Sequence, residues 1–111
     1  MRPESSAEGS AVTGRRLRIK RRAELDIESV EHYYLGKAGK AVADGAVDAI
    51  LARVRKLAAL EVDYRPGIRE GTREYVMDRY PYVLVYRDRA GTVELLRVLH
   101  QRAEYFNRRR R

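Results

Sequence analysis

Residues 71–106, GTREYVMDRYPYVLVYRDRAGTVELLRVLHQRAEYF, decide how this chain folds. Three runs rich in β-branched and aromatic residues, 72–77, 82–87 and 92–99, read as strands. Pro81 marks the start of the second, because proline cannot donate within a ladder. Asp88, Arg89, Ala90 and Gly91 join the second run to the third as a short hairpin loop, with Gly91 supplying the positive φ such loops need. Strict alternation through the third run puts Val93, Leu95, Arg97 and Leu99 on one face and Glu94, Leu96, Val98 and His100 on the other. Apolar residues on both faces predict an interior strand. An arginine in the middle of such a strand must reach solvent or be paired, to a strand or helix carboxylate such as Glu74.

Toward the N-terminus the period changes. After a turn-like break at Arg65, Pro66 and Gly67, residues 40–60 carry one apolar stripe of Val47, Ile50, Leu51, Val54, Leu57 and Ala58, which predicts a long helix. Arg53, Arg55 and Lys56 suit its negative pole, whereas Gly45 weakens it by roughly 1 kcal/mol relative to alanine. An earlier helix starts near Ala23, with Ala23, Ile27, Val30 and Tyr34 at helical spacing, acidic Glu24, Asp26 and Glu28 in its first turns, and Gly36 and Gly39 at its end. Before it, Arg-Leu-Arg-Ile-Lys at 16–20 alternates at period two, a short strand with Leu17 and Ile19 inward. The order is β-α-α-β-β-β. Strands that follow two helices predict an α+β domain in which a helical hairpin covers one face of a twisted, mainly antiparallel sheet and leaves the other partly open. Residues 1–14, rich in Ser, Gly, Glu and Ala, read as a disordered arm, 15–106 as the folded domain and 107–111 as a basic tail.

Composition narrows the function classes. With no cysteine and two histidines among 111 residues, disulfides and a thiolate metal site are excluded, and no metal or cofactor is expected. No run of ~18 apolar residues and no signal-like apolar stretch near the start point to a cytoplasmic protein away from membranes. The net charge of +8 suggests a polyanion partner until its placement is considered. Residues 15–22 hold six cations and 108–111 four arginines, so most of the excess lies near the two ends. Inside, 23–63 is acidic and 64–102 basic.

That basic half contains the candidate chemistry. Arg73, Arg79, Arg87, Arg97 and Arg102 are interleaved with Tyr75, Tyr80, Tyr82, Tyr86 and Tyr105. Guanidinium forks match phosphate oxygens and aromatic faces accept bases, but the same pair of residue types makes protein-interface hot spots. Both readings stay open for Arg73, Arg79, Arg87 and Arg97 as target- or phosphate-binding residues. His100, Arg102 and Tyr105 close the segment. A histidine beside a cation and a phenol can exchange protons with a ribose hydroxyl while the cation stabilises a charged phosphate; a histidine that simply hydrogen-bonds at a strand end is the plainer alternative. His32, beside Tyr33 and Tyr34, reads as a surface or interface residue.

The runs GTREYVMDRYPYVLVYR (71–87) and TVELLRVLHQRAEYF (92–106) resemble the sheet of the RelE/ParE toxins, and RRAELDIESVEHYY (21–34) is similar to their first helix. The most specific element is RVLHQR at 97–102, which with the YPY and YR motifs resembles the ParE or plasmid-stabilisation branch. The resemblance implies a toxin of a type II toxin-antitoxin system, neutralised by a ParD-like or similar antitoxin wrapping its surface. The ParE branch implies DNA gyrase as protein target without nuclease activity. The RelE branch implies cleavage of messenger RNA on the ribosome, with His100, Arg102 and Tyr105 in the catalytic places. A homologue that binds antitoxin without toxicity is the third reading. The helical stripe, Ile27, Val30, Tyr34, Val47, Ile50 and Val54, is the expected antitoxin-binding surface, left incompletely covered by the chain itself.

Overall fold

The computed structural model describes residues 16–59 and 64–110, with side chains as far as Asn107. The expected arm at 1–14 lies outside the described residues. The chain runs through β1 (Arg16–Ile19), α1 (Arg21–Ala38), α2 (Lys40–Ala59), β2 (Arg65–Pro66), β3 (Arg73–Val76), β4 (Tyr82–Arg89), β5 (Thr92–His100) and a 3-10 helix (Glu104–Arg110). This is the expected α+β order with one strand added.

The added strand is Arg65–Pro66, where a turn was expected. It pairs antiparallel with Arg73 and Glu74 at the edge of the sheet, a position where proline's missing N–H removes no interior ladder bond. The five strands lie in the order β1-β5-β4-β3-β2; only β1 runs parallel to its neighbour, so the first and last strands of the chain meet side by side. β4 and β5 turn through Ala90 (φ 52°) and Gly91 (φ 83°), both left-handed, a two-residue turn whose twist matches the strands it joins. The 3-10 helix carries the backbone through Arg110 in one element, across the boundary expected at 106/107.

Both helices pack on one face. α2 buries Ala43, Ala46, Ile50, Val54 and Leu57, spaced three and four apart, and α1 buries Ala23 and Val30. They meet Tyr82, Leu84, Tyr86, Val93, Leu95 and Val98 from the sheet, with Leu17 and Ile19 of β1 packed inward as their alternation requires. Burying one such aliphatic side chain stabilises the fold by about 1.5–3 kcal/mol. The helices join through Gly39 alone, whose N–H donates to the carbonyls of Tyr34 and Leu35; Gly36 lies inside α1 instead of ending it. The opposite sheet face carries a second, smaller cluster of Val83, Val85 and Phe106 with Ile68 and Leu99 beside it, so the final helix covers part of the open face.

β5 departs from strict alternation. Val85 pairs with Arg97, but the next residue, Tyr86, pairs with Leu95, so Leu96 is an extra residue opposite no partner. Beyond this bulge the faces exchange. Val98 joins Val93 and Leu95 against the helices, while Arg97 shares the open face with Val85. The arrangement of Val93, Leu95, Arg97 and Leu99 on one face therefore fails at Leu96, because a bulge resets the period of two.

Candidate functional site

The bulge and the end of β1 together create a hollow lined by many charged residues. β1 stops at Ile19 opposite Leu95, and the Lys20 N–H makes the last ladder bond to the Leu95 carbonyl. From Leu96 onward no strand among the described residues lies beside the outer edge of β5. α1 begins there and supplies Asp26, whose Oδ2 accepts the Val98 N–H at 2.9 Å. The same carboxylate receives Arg97 in a two-point pair, Nε to Oδ2 at 2.7 Å and Nη2 to Oδ1 at 3.1 Å. Asp26 is thus the partner of Arg97, and its hydrogen bonds hold the guanidinium charged. Glu74, the partner expected from sequence, is fully buried elsewhere, accepting Arg65 Nε at 2.7 Å and the Ile68 N–H at 3.2 Å.

Arg97 opens onto a hollow of about 710 Å³ on the open face. Val85 and Leu96 contribute apolar surface to it, and Lys20, Arg21, Arg22, Arg69, Arg87 and Arg97 supply cations against one lining carboxylate, Glu70. Thr72 and Tyr105 complete it. Arg87 is held by Glu94 at 2.6 Å, and that hydrogen bond draws the Glu94 carboxyl below its ordinary value. Arg69 and Thr72 are placed by a tight loop. The Thr72 N–H and hydroxyl both donate to the Arg69 carbonyl, and the Gly67 N–H donates to the Thr72 carbonyl at 2.8 Å. A Cβ at Gly67 would collide with the Thr72 side chain, so the loop requires glycine there.

A second, more apolar groove of about 370 Å³ lies between α1 and the end of β5, lined by Tyr33, Tyr34, Pro81, Tyr82 and His100 among others. Its tyrosines meet edge to face: Tyr34 with Tyr33, Tyr80 and Tyr82, and Tyr82 with His100 at 5.8 Å between ring centres. Burial, reinforced by Tyr34, pushes the Tyr82 phenol up to about 12. An unfolded tyrosine ionises near ~10, so the stability Tyr82 contributes is fully present below pH ~10 and is lost as pH rises through its folded value. Tyr82→Phe is expected to shift the alkaline unfolding midpoint upward in circular dichroism; an unchanged midpoint would mean that another group sets the alkaline limit.

The sequence-predicted residues divide among separate places. Arg87, Arg97 and Tyr105 converge on the charged hollow. Arg73 stands over the Tyr64 ring at 4.5 Å and pairs with Asp88 at 3.8 Å. Arg79 is exposed beside Arg53, Lys56 and Tyr80. His100 lines the tyrosine groove, and its Nδ1 accepts the Arg102 N–H at 3.0 Å, the strand-end hydrogen bond of the plainer reading. His100 and Tyr105 therefore face different hollows. Of the helical stripe, Val30, Ile50 and Val54 are buried in the chain's own core, and Ile27, Tyr34 and Val47 are partly covered. The expectation that this stripe stays open to a partner is corrected for the three buried residues: their apolar period is satisfied by the sheet. The apolar groups left exposed on the hairpin are Leu25, Tyr33, Leu35 and Val42. Sequence reasoning missed Lys20, Arg21, Arg22 and Arg69 at the hollow, and Asp26 as the partner of Arg97. Asp26 sits 71 residues before Arg97, beyond any local pattern, and Arg69 is one arginine in a loop.

Among the described residues, no group of three or more histidine, aspartate or glutamate side chains could hold a metal ion, and no helix is long and apolar enough to cross a membrane. The sequence profile described as the ParE toxin of the type II toxin-antitoxin system, parDE, matches residues 17–105. The fold is similar to a chain of the chromosomal ParDE TA system from P. aeruginosa, with a TM-score of 0.71 and 24% identity over 76% of this chain and 92% of that one. No curated protein is similar enough in sequence to match.

Proposed function

The chain belongs to the ParE toxin family of type II toxin-antitoxin systems, and from that premise we propose that it inhibits growth by binding a protein target, DNA gyrase, and is neutralised by a cognate ParD-like antitoxin. The observation that carries this reading is the family match, which spans both helices and all five strands. The dispersal of the acid/base candidates weighs in the same direction. A ribonuclease of the RelE kind calls on His100, Arg102 and Tyr105 together, yet His100 and Tyr105 line different hollows and Arg102 is exposed on the turn between them.

Target recognition falls to the open sheet face with Arg87 and Arg97, and to the C-terminal segment. The antitoxin takes the tyrosine groove and the exposed hairpin groups Tyr33, Leu35 and Val42, since interface cores favour aromatic and apolar anchors. The test is induction of the chain in cells lacking the antitoxin, with transcript ends and gyrase–DNA adducts followed together. Growth arrest with trapped gyrase on DNA and intact transcripts is the expected result. Cut transcripts without adducts would overturn the reading in favour of a nuclease, and undisturbed growth would mark a homologue without toxicity.

A further inference from the structure

We propose that the charged hollow on the open sheet face binds a nucleoside phosphate, with its phosphates among Arg22, Arg69 and Arg97 and its base against Tyr105 and the apolar floor of Val85 and Leu96. The inference is independent of the target's identity, because it concerns what the hollow itself can hold.

The electrostatics favour an anion. Six cations line the hollow against one carboxylate, and three further carboxylates, Glu24, Asp26 and Glu94, pair with Arg21, Arg97 and Arg87. That leaves two positive charges in excess. Lys20, Arg22 and Arg69 have no ion pair among the described residues. Arg97 is already oriented, spending only Nε and Nη2 on Asp26, so Nη1 keeps both its donors for a ligand. An arginine fixed by a carboxylate behind it loses little freedom on gripping a phosphate oxygen. The first turn of α1 borders the hollow through Lys20, Arg21 and Arg22. Lys20 occupies its N-cap with no side-chain hydrogen bond, so the N–H groups of that turn lack a side-chain acceptor.

The non-ionic lining distinguishes a nucleoside phosphate from a bare anion or an acidic peptide. Leu96, displaced by the bulge, offers an apolar floor with Val85 buried beneath it, and Tyr105 offers a ring beside the cations. Inorganic phosphate makes no use of a floor and a ring; a base does, by stacking. Glutamate side chains carry no base to stack on that ring, so an acidic peptide also leaves it unused.

Titration of the full-length chain at low salt with ADP, pyrophosphate, a tetra-deoxyadenylate strand and a hexaglutamate peptide, followed by backbone amide shifts, tests this. ADP is expected to shift residues of the hollow and to bind about tenfold tighter than pyrophosphate, the size of one stacking contact. Arg22→Ala and Arg69→Ala, both at exposed positions, should each weaken ADP at least about fivefold, while Lys37→Ala on the far end of α1 leaves it unchanged. Tyr105→Leu should erase the advantage of ADP over pyrophosphate without lowering the thermal midpoint appreciably. Tighter binding of the deoxyadenylate strand through the same residues assigns the nucleoside phosphate to a nucleic acid; equal or weaker binding assigns it to a free nucleotide. Equal affinity for pyrophosphate and ADP, preference for hexaglutamate, or full affinity in Arg69→Ala would each overturn the proposal.

Discussion

Ile50→Ala is expected to lower the free energy of unfolding by about 2–5 kcal/mol, a large share of the ~5–15 kcal/mol available to a small domain. Ile50 is completely buried on α2, between the hairpin and the sheet residues Leu84 and Leu95 in the same cluster. Removing its side chain beyond Cβ loses apolar burial and leaves a cavity that α2 cannot close without sliding on the sheet. Ile50→Val should cost only about 0.5–1.5 kcal/mol. Urea unfolding gives both values, with an unchanged m-value showing that the folded and unfolded states keep their compactness. The result also decides a functional point. A loss below about 1 kcal/mol in Ile50→Ala would mean that the residue is not core, and the helical stripe would again be available to a partner.

The second large effect concerns the joint between helix and strand. Asp26→Ala is expected to cost about 2–3 kcal/mol, because hydrogen bonds to a charged group contribute more than neutral ones and both partners, Arg97 and the Val98 N–H, are part-buried. Among the described residues no strand covers that edge of β5, and Asp26 is the acceptor of the Val98 N–H there. Asp26→Asn keeps an acceptor for Val98 and should cost less than the alanine variant. Hydrogen exchange locates the effect: the Val98 amide should lose protection in Asp26→Ala and retain most of it in Asp26→Asn. Equal exchange in both variants would show that the carboxylate does not hold the strand edge.

Much of the architecture is legible in the sequence because periodicity and turn chemistry are local. The two apolar stripes, the Pro81 strand start and the hairpin ahead of Gly91 each follow from a few neighbouring residues, although the loop expected over 88–91 shortens to Ala90-Gly91 because Asp88 and Arg89 stay paired in β4. What escaped is non-local. Leu96 looks like any strand leucine; only the pairing of Val85 with Arg97 and Tyr86 with Leu95 makes it a bulge, and that pairing is set by the register across the sheet. Arg97 leaves the face of Val93 and Leu95 for the same reason, and its partner is a helix carboxylate, Asp26, in place of Glu74, because Asp26 approaches only after α1 folds over the strand edge. Arg65–Pro66 became a strand because buried Glu74 draws Arg65 to the sheet, a contact that proline's low strand propensity conceals.

The site was legible in residue type but not in assembly. Arg87, Arg97 and Tyr105 stood out by chemistry and do share a hollow, yet Arg73, Arg79 and His100, which stood out equally, lie elsewhere: Arg73 and His100 by their places on the strands, and Arg79 in the bend between β3 and β4. Sequence alone could not exclude a histidine-tyrosine pair, because four residues separate His100 from Tyr105 through a turn and a 3-10 start whose path decides which side each faces. The helical stripe illustrates the reverse error. An apolar period records that a helix face is buried, without recording whether its cover is another chain or the chain's own sheet.

We propose that this member of the ParE toxin family acts on a protein and cuts no RNA. Purified chain added to DNA gyrase and relaxed plasmid tests it most directly, with ribosomes and a messenger RNA in a parallel reaction. The account predicts loss of supercoiling with accumulation of cleaved plasmid and an intact messenger; full supercoiling beside a cleaved messenger would contradict it.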